Sequence, residues 1–170
     1  MNPAALRARC EARLSGLTIP DPFDLAEFCA QLSRGRDRPI VLLPMALSGG
    51  GLSGLWIRVE TGDYVVYEES TTPLHQVHIA LHEIGHLLCE HRSVAPLPAD
   101  HLDRLFPTLD PDTVRRGLGR TGYSSDEESE AELLASLILQ RTRVRALPPA
   151  PAQAVPPQVA EVLRRLESSL

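Results

Sequence analysis

The sequence predicts an α+β domain in which a small, mostly antiparallel sheet packs against two long helices. Three short apolar and aromatic runs lie between residues 40 and 68, and this composition is typical of strands. Apolar residues recur at helical spacing before and after this region. With 170 residues, the chain is long enough for one domain with a buried core.

Two helices are predicted before the sheet. Apolar residues spaced four apart predict a helix over residues 2–14, which Gly16 ends. Asp21 is a suitable N-cap and Pro22 suits the first helical position, so a second helix is predicted over residues 22–33.

The strands follow in three runs, over residues 40–43, 54–60 and 63–68. The connection Thr61-Gly62-Asp63 predicts that the last two form a hairpin. The run 64–68 leads directly into the next helix. It is therefore a candidate edge strand, on which an extended peptide could add as a further strand.

The segment 74–91 is predicted to be an amphipathic helix that carries the motif H-E-x-x-H. The motif is His82-Glu83-Ile84-Gly85-His86. Helix residues four apart lie on one face, so His82 and His86 can direct both imidazoles at one metal ion. The apolar stripe that packs this helix on a core consists of Val77, Leu81, Ile84 and Leu88.

These residues indicate metal-assisted hydrolysis. Two histidine ligands, a third ligand from elsewhere and an open position are typical of a catalytic Zn²⁺ site. Glu83 is the candidate catalytic base for the water at that position. The alternative interpretation is a buried helix whose histidines are merely hydrogen-bonded polar groups.

A third histidine ligand is not found at the spacing used by metzincins. That pattern needs a glycine three residues and a histidine six residues after His86, where this chain has Cys89 and Arg92. His91 is one residue out of place and lies past the predicted helix end.

A glutamate on the next helix is the other source of a third ligand. That helix is predicted over residues 124–143, and its candidates are Glu127, Glu128, Glu130 and Glu132. Glu130 is preferred because it lies on a core-facing stripe, where a metal would offset the cost of burying a carboxylate. Glu127 and Glu128 are interpreted as solvated acids of the first turn. The stripe that includes Glu130 continues through Leu133, Leu134 and Leu137.

With these residues assembled, the chain resembles the ImmA/IrrE family of zinc metallopeptidases, in particular its short, stand-alone actinobacterial-type members. The resemblance rests on His82 to Leu88 and on Glu130-Ala131-Glu132, with Ala135 and Leu139 downstream, and covers roughly residues 14–143. It implies a zincin-like fold with Zn²⁺ held by His82, His86 and Glu130. This chain departs from the family pattern in having Glu132 where asparagine is usual and in lacking a final Met-Pro.

The resemblance also implies a function. Family members cleave helix-turn-helix transcriptional regulators that are often encoded beside them, and some belong to toxin–antitoxin pairs. The chain is accordingly expected to be a zinc-dependent endopeptidase acting on such a regulator. The alternative is a non-proteolytic zinc-binding regulatory or toxin–antitoxin component that acts by protein–protein binding.

Four further residues are candidates for contact with substrate. His78 lies one turn before His82, and Tyr123 directly precedes the second predicted helix. Tyr64 and Tyr67 lie on the hairpin. Each could donate a hydrogen bond to substrate, whereas the alternative for each is ordinary packing.

Composition limits the other classes of protein to which the chain could belong. The formal net charge of −5 disfavours a direct nucleic-acid binder. Three scattered cysteines do not indicate a disulfide framework, and no apolar run approaches the ~20 residues of a membrane span. A cytoplasmic protein is expected. Its predicted organisation is a metallopeptidase domain over 1–146, a Pro-rich linker over 147–157 and a C-terminal helix over 158–170.

Overall fold

The computed structural model describes residues 2–47, 53–59, 61–91, 123–142 and 160. These residues form a small α+β fold of four helices and a three-stranded sheet. The linker and most of the C-terminal helix that the sequence predicts lie outside the described residues, as does the predicted boundary at 146. The elements are α1 (Pro3–Ser15), α2 (Leu25–Arg36), β1 (Ile40–Met45), β2 (Gly54–Val59), β3 (Gly62–Glu68), α3 (Pro73–Cys89) and α4 (Ser125–Arg141).

Each helix begins at a residue whose side chain accepts a hydrogen bond from a backbone N–H that has no partner within the helix. Asn2 caps α1, Thr72 caps α3, and Ser124 caps α4 in a reciprocal capping box with Glu127. Helix α2 begins at Leu25, later than predicted, because Asp24 and not Asp21 is its N-cap.

The sheet is mixed, with strand order β1-β3-β2. The predicted hairpin is confirmed, since β2 and β3 are antiparallel. The prediction of a mostly antiparallel sheet is wrong, because β1 pairs with the other side of β3 in parallel register. The run 64–68 therefore lies in the central strand and cannot be the edge that accepts a peptide. Within the described residues, the edges of the sheet are β1 and β2.

A buried carboxylate ties the sheet together at the start of β3. Asp63 is fully buried and accepts hydrogen bonds from the Trp56 indole N–H and from the guanidinium groups of Arg36, Arg38 and Arg58. Burial of an unpaired carboxylate would destabilise the fold, and these charged donors offset that cost. The cluster joins α2, the β1 region, β2 and β3.

The two long helices pack closely on each other, and α3 also packs on β2 and β3. They run antiparallel. His75 near the start of α3 lines the same cavity as Leu139 near the end of α4. His86 near the end of α3 lies 3.7 Å from Glu128 near the start of α4. Within the described part of the chain, none of the helices has both the length and the apolar character needed to cross a membrane.

Gly85 is where α3 and α4 approach most tightly. A Cβ added there would lie 2.9 Å from Ala131 Cα and 3.0 Å from its carbonyl oxygen, so backbone atoms would have to move. We expect Gly85→Ala to lower the free energy of unfolding by ~1–3 kcal/mol, as overpacked cores do. Gly35 in α2 is the matched control, since nothing lies within 4 Å of its added Cβ.

Gly35→Ala is expected to raise the free energy of unfolding by about 0.5–1 kcal/mol, since alanine favours the helix. Urea denaturation of both variants measures the two effects. Equal effects of the two changes would show that helix propensity, and not the contact with Ala131, decides the outcome at Gly85.

Candidate metal centre

Helix α3 presents the H-E-x-x-H residues as predicted. His82 and His86 are one turn apart, and their Nε2 atoms lie 3.0 Å from each other. His86 and Glu83 are buried, at 1% and 3% exposure. The His82 ring is partly accessible. Two imidazole nitrogens therefore converge at one point at the edge of the core.

Glu128 completes this group from α4. Its Oε2 lies 3.2 Å from His82 Nε2 and 3.7 Å from His86 Nε2. In a tetrahedral zinc site with bonds of 2.0–2.1 Å, ligand atoms are about 3.3 Å apart. The three separations bracket that value. The donor set thus fits a metal ion such as zinc.

Glu130, the predicted third ligand, does not lie in this group. It is buried, as its stripe predicts, but its two carboxylate oxygens each accept a hydrogen bond of 2.7 Å from Arg9 of α1. Its Oε2 also lies 3.3 Å from His91 Nε2. Burial raises the pKa of Glu130, but the hydrogen bonds from Arg9 and His91 outweigh burial, so its pKa lies below the usual value. Arg9 and His91 thus offset the cost of burying this carboxylate.

Glu132, another of the candidates, contacts the site from outside. Its carboxylate lies 3.3 Å from His82 Nδ1, the ring nitrogen that faces away from Glu128. It also lies 3.1 Å from His78 Nε2. His78, a candidate for substrate contact, is therefore held by Glu132. Glu127 serves in the capping box of α4.

A second compact group consists of Cys89, His91 and Glu130. Its chemistry fits a metal ion poorly. Burial raises the pKa of the Cys89 thiol to about 12, so an ion would have to displace the thiol proton in order to bind. The positive charge of Arg9 at Glu130 further disfavours a cation there.

Tyr123 lies against the site, whereas the other two candidate tyrosines do not. Its ring stacks on His86 with centroids 3.8 Å apart and planes 11° from parallel. Burial, together with the nearby charges of Glu83 and Glu128, raises the pKa of Tyr123 far above its ordinary value, so its hydroxyl keeps its proton. Tyr64 and Tyr67 are buried in the sheet.

Strand β2 passes close to Glu83. A Cβ added at Gly54 would lie 2.9 Å from Glu83 Oε1 and 2.5 Å from a methyl carbon of Ile79. Only glycine lets the first residue of β2 approach the carboxylate this closely. The start of an edge strand is thus fixed beside the candidate catalytic base.

A cavity of about 500 Å³ lies along the helix pair, on the side of His78, one turn from His82. It lies between the start of α3 and the end of α4, and the largest exposed apolar side chain of the described residues, Leu74, is at its rim. Its lining residues are Thr72, Leu74, His75, His78, Leu139 and Gln140. The cavity can take an apolar side chain next to His78.

Sequence reasoning missed Arg9 and His91. Arg9 is 121 positions from Glu130, and no local pattern indicates such a contact. A signal existed for His91, namely the end of α3 just before it. Glu90 adopts the left-handed conformation, with φ 53°, and the N–H of His91 then bonds to the carbonyl of His86. This turn returns the His91 ring to His86.

No protein-family model, curated protein or solved structure matches the chain.

Proposed function

We propose that the chain is a zinc-dependent endopeptidase of zincin-like fold and ImmA/IrrE type, with its metal held by His82, His86 and Glu128. The observation that carries the proposal is the convergence of three ligand atoms from two helices within 3.7 Å of one another. Two imidazoles and one carboxylate form a donor set of catalytic zinc sites. Mg²⁺ and Ca²⁺ instead favour sites made of oxygen ligands.

Glu83 is the proposed general base. His82, His86 and Glu128 would hold zinc, which would supply the Lewis acidity that activates water at neutral pH. The Glu83 carboxylate accepts a proton from the attacking water and returns it to the leaving amine. Its place next to His82 and its burial beside Gly54 hold it in a poorly solvated environment at the metal centre.

Tyr123 is the proposed donor to the developing oxyanion. Because its hydroxyl stays protonated over the physiological range, it can donate a hydrogen bond without competing ionisation. Its stacking on His86 fixes the ring at the metal centre. His78, held by Glu132 at the mouth of the cavity, is better placed to contact a substrate side chain.

The substrate class follows from the edge strand and from the family resemblance. Strand β2, paired on one side only within the described residues, begins at Gly54 beside Glu83 and can bind an extended backbone as a further strand. The resemblance implies that this backbone belongs to a helix-turn-helix transcriptional regulator. We propose slow, selective cleavage of one such partner, with little activity on unstructured general substrates.

The choice of Glu128 over Glu130 as third ligand is tested by metal analysis. Wild type should bind about one Zn²⁺ per chain. With both variants held in the same excess of zinc, Glu128→Ala removes a ligand and should bind less than one ion. Glu130→Ala should still bind one ion, with an affinity ~10–100-fold lower because His91 loses its support, since the Glu130 carboxylate hydrogen-bonds to Arg9 and His91 and not to the proposed metal. The reverse result would restore Glu130 as the ligand.

Cleavage is tested with a partner regulator as substrate. We expect incubation of the zinc-loaded protein with the regulator encoded beside it to give two defined fragments by mass spectrometry, while casein stays intact. A stable complex with intact regulator, in zinc-loaded protein, would favour the non-proteolytic binding component instead.

A further inference from the structure

The two ring nitrogens of His86 have different partners. Nε2 faces His82 and Glu128, whereas Nδ1 lies 2.9 Å from His91 Nδ1. The other nitrogen of His91 continues the chain to Glu130, which Arg9 holds in two hydrogen bonds. His86, His91 and Glu130 are all at least 94% buried. A hydrogen-bonded chain thus runs from the metal centre into the contact between α3, α4 and α1.

The direction of these hydrogen bonds follows from their last member. An ionised carboxylate only accepts, so His91 donates from Nε2 to Glu130. A neutral imidazole with its proton on Nε2 has a lone pair on Nδ1, which accepts from Nδ1–H of His86. His86 then has its lone pair on Nε2, the atom that faces His82 and Glu128. Each proton position is determined by the next group along the chain.

We infer that His91 and Glu130 are positioning residues that hold His86 in the one tautomer able to bind a metal through Nε2. The inference rests on the proposed metal centre and adds the group that prepares it. His82 differs, since its Nδ1 partner is Glu132, a carboxylate that is 53% exposed and shared with His78. The buried chain behind His86 is therefore the more rigid of the two supports.

The backbone turn that follows α3 places His91 next to His86. Glu90 adopts the left-handed conformation, which is unfavourable for residues other than glycine. Glu90 is the C-cap of α3, and in this conformation the N–H of His91 donates a hydrogen bond of 3.1 Å to the carbonyl of His86. His91 would otherwise continue away from the end of α3.

Two variants separate positioning from packing. His91→Leu has a similar volume but no acceptor for Nδ1–H of His86. His91→Asn is smaller, but its carbonyl can take the place of Nδ1 as acceptor. If His91 positions the ligand, zinc affinity should fall ~10–100-fold in His91→Leu and less than ~10-fold in His91→Asn. If His91 only fills space, the order is reversed.

Zinc affinity is measured by competition with a chelator, and urea denaturation of the metal-free proteins confirms that each variant is folded. Retention of wild-type affinity by His91→Leu would overturn the inference.

A second measurement needs no metal. In metal-free wild type labelled with ¹⁵N-histidine, the nitrogen shifts should show His86 protonated at Nδ1 and unprotonated at Nε2, and His91 protonated at Nε2. The opposite tautomer of His86 would overturn the inference. This readout stands even if the wild type fails to bind zinc, which would contradict the proposed function and not the tautomer.

Discussion

Replacement of both His82 and His86 by alanine is expected to abolish zinc binding. The two imidazoles are two of the three proposed protein ligands, and one carboxylate alone does not hold zinc against a chelator. Metal analysis after dialysis should give about one zinc per chain for wild type and none for the double variant. The change should also lower the free energy of unfolding, because His86 is buried and its loss leaves Nδ1 of His91 without its hydrogen-bond partner.

His75→Ala is the matched control. It makes the same change on the same helix, but His75 is exposed and lies outside the ligand group. Its zinc content should equal that of wild type. Stoichiometric zinc in the double variant would mean that the ion binds elsewhere in the chain.

Glu83→Gln is expected to remove hydrolysis while the zinc content stays unchanged. Glutamine has nearly the shape of glutamate and suits the tight contact with Gly54, but it cannot accept the proton of the attacking water. The cleavage rate of the partner regulator should fall by a factor of ~10²–10⁴, the usual contribution of a general base. Fragment appearance over time, measured at equal zinc occupancy, gives the ratio.

Glu69→Gln serves as the control for Glu83→Gln, because Glu69 is an exposed glutamate outside the ligand groups. The Glu69→Gln protein should cleave the regulator at the wild-type rate. Unchanged cleavage in Glu83→Gln would assign the base to another residue. Zinc loss in Glu83→Gln would instead indicate that Glu83 contacts the metal directly.

The elements with local signals were predicted well from the sequence. The stripe of Val77, Leu81 and Ile84 fixes which face of α3 is buried, so the placement of His82 and His86 followed from helical spacing alone. The hairpin was readable because its turn residues lie between its strands. The parallel pairing of β1 could not be predicted, since no residue near β1 in the sequence indicates which side of β3 it joins.

The proposed third metal ligand shows the limit of prediction from local sequence patterns. The stripe correctly predicted that Glu130 is buried, but a buried carboxylate needs a partner and the sequence does not say which. Arg9 supplies that partner from a helix near the start of the chain. Glu128 was interpreted as a solvated acid because it lies in the first turn. It is indeed part-exposed, yet it faces the histidines of α3. Only the relative placement of the two helices separates these roles.

Because the proposed ligands are divided between α3 and α4, metal binding would be thermodynamically linked to the stability of the fold. His86 and Glu128 are about 40 residues apart in sequence, so an ion held by both acts as a cross-link that the unfolded chain cannot form. At a free zinc concentration 1,000 times the dissociation constant, such binding adds ~4 kcal/mol to the free energy of unfolding. Loss of the proposed zinc would then lower the resistance of the fold to heat and to proteolysis. The zinc supply of the cell would in this way set how long the protein persists.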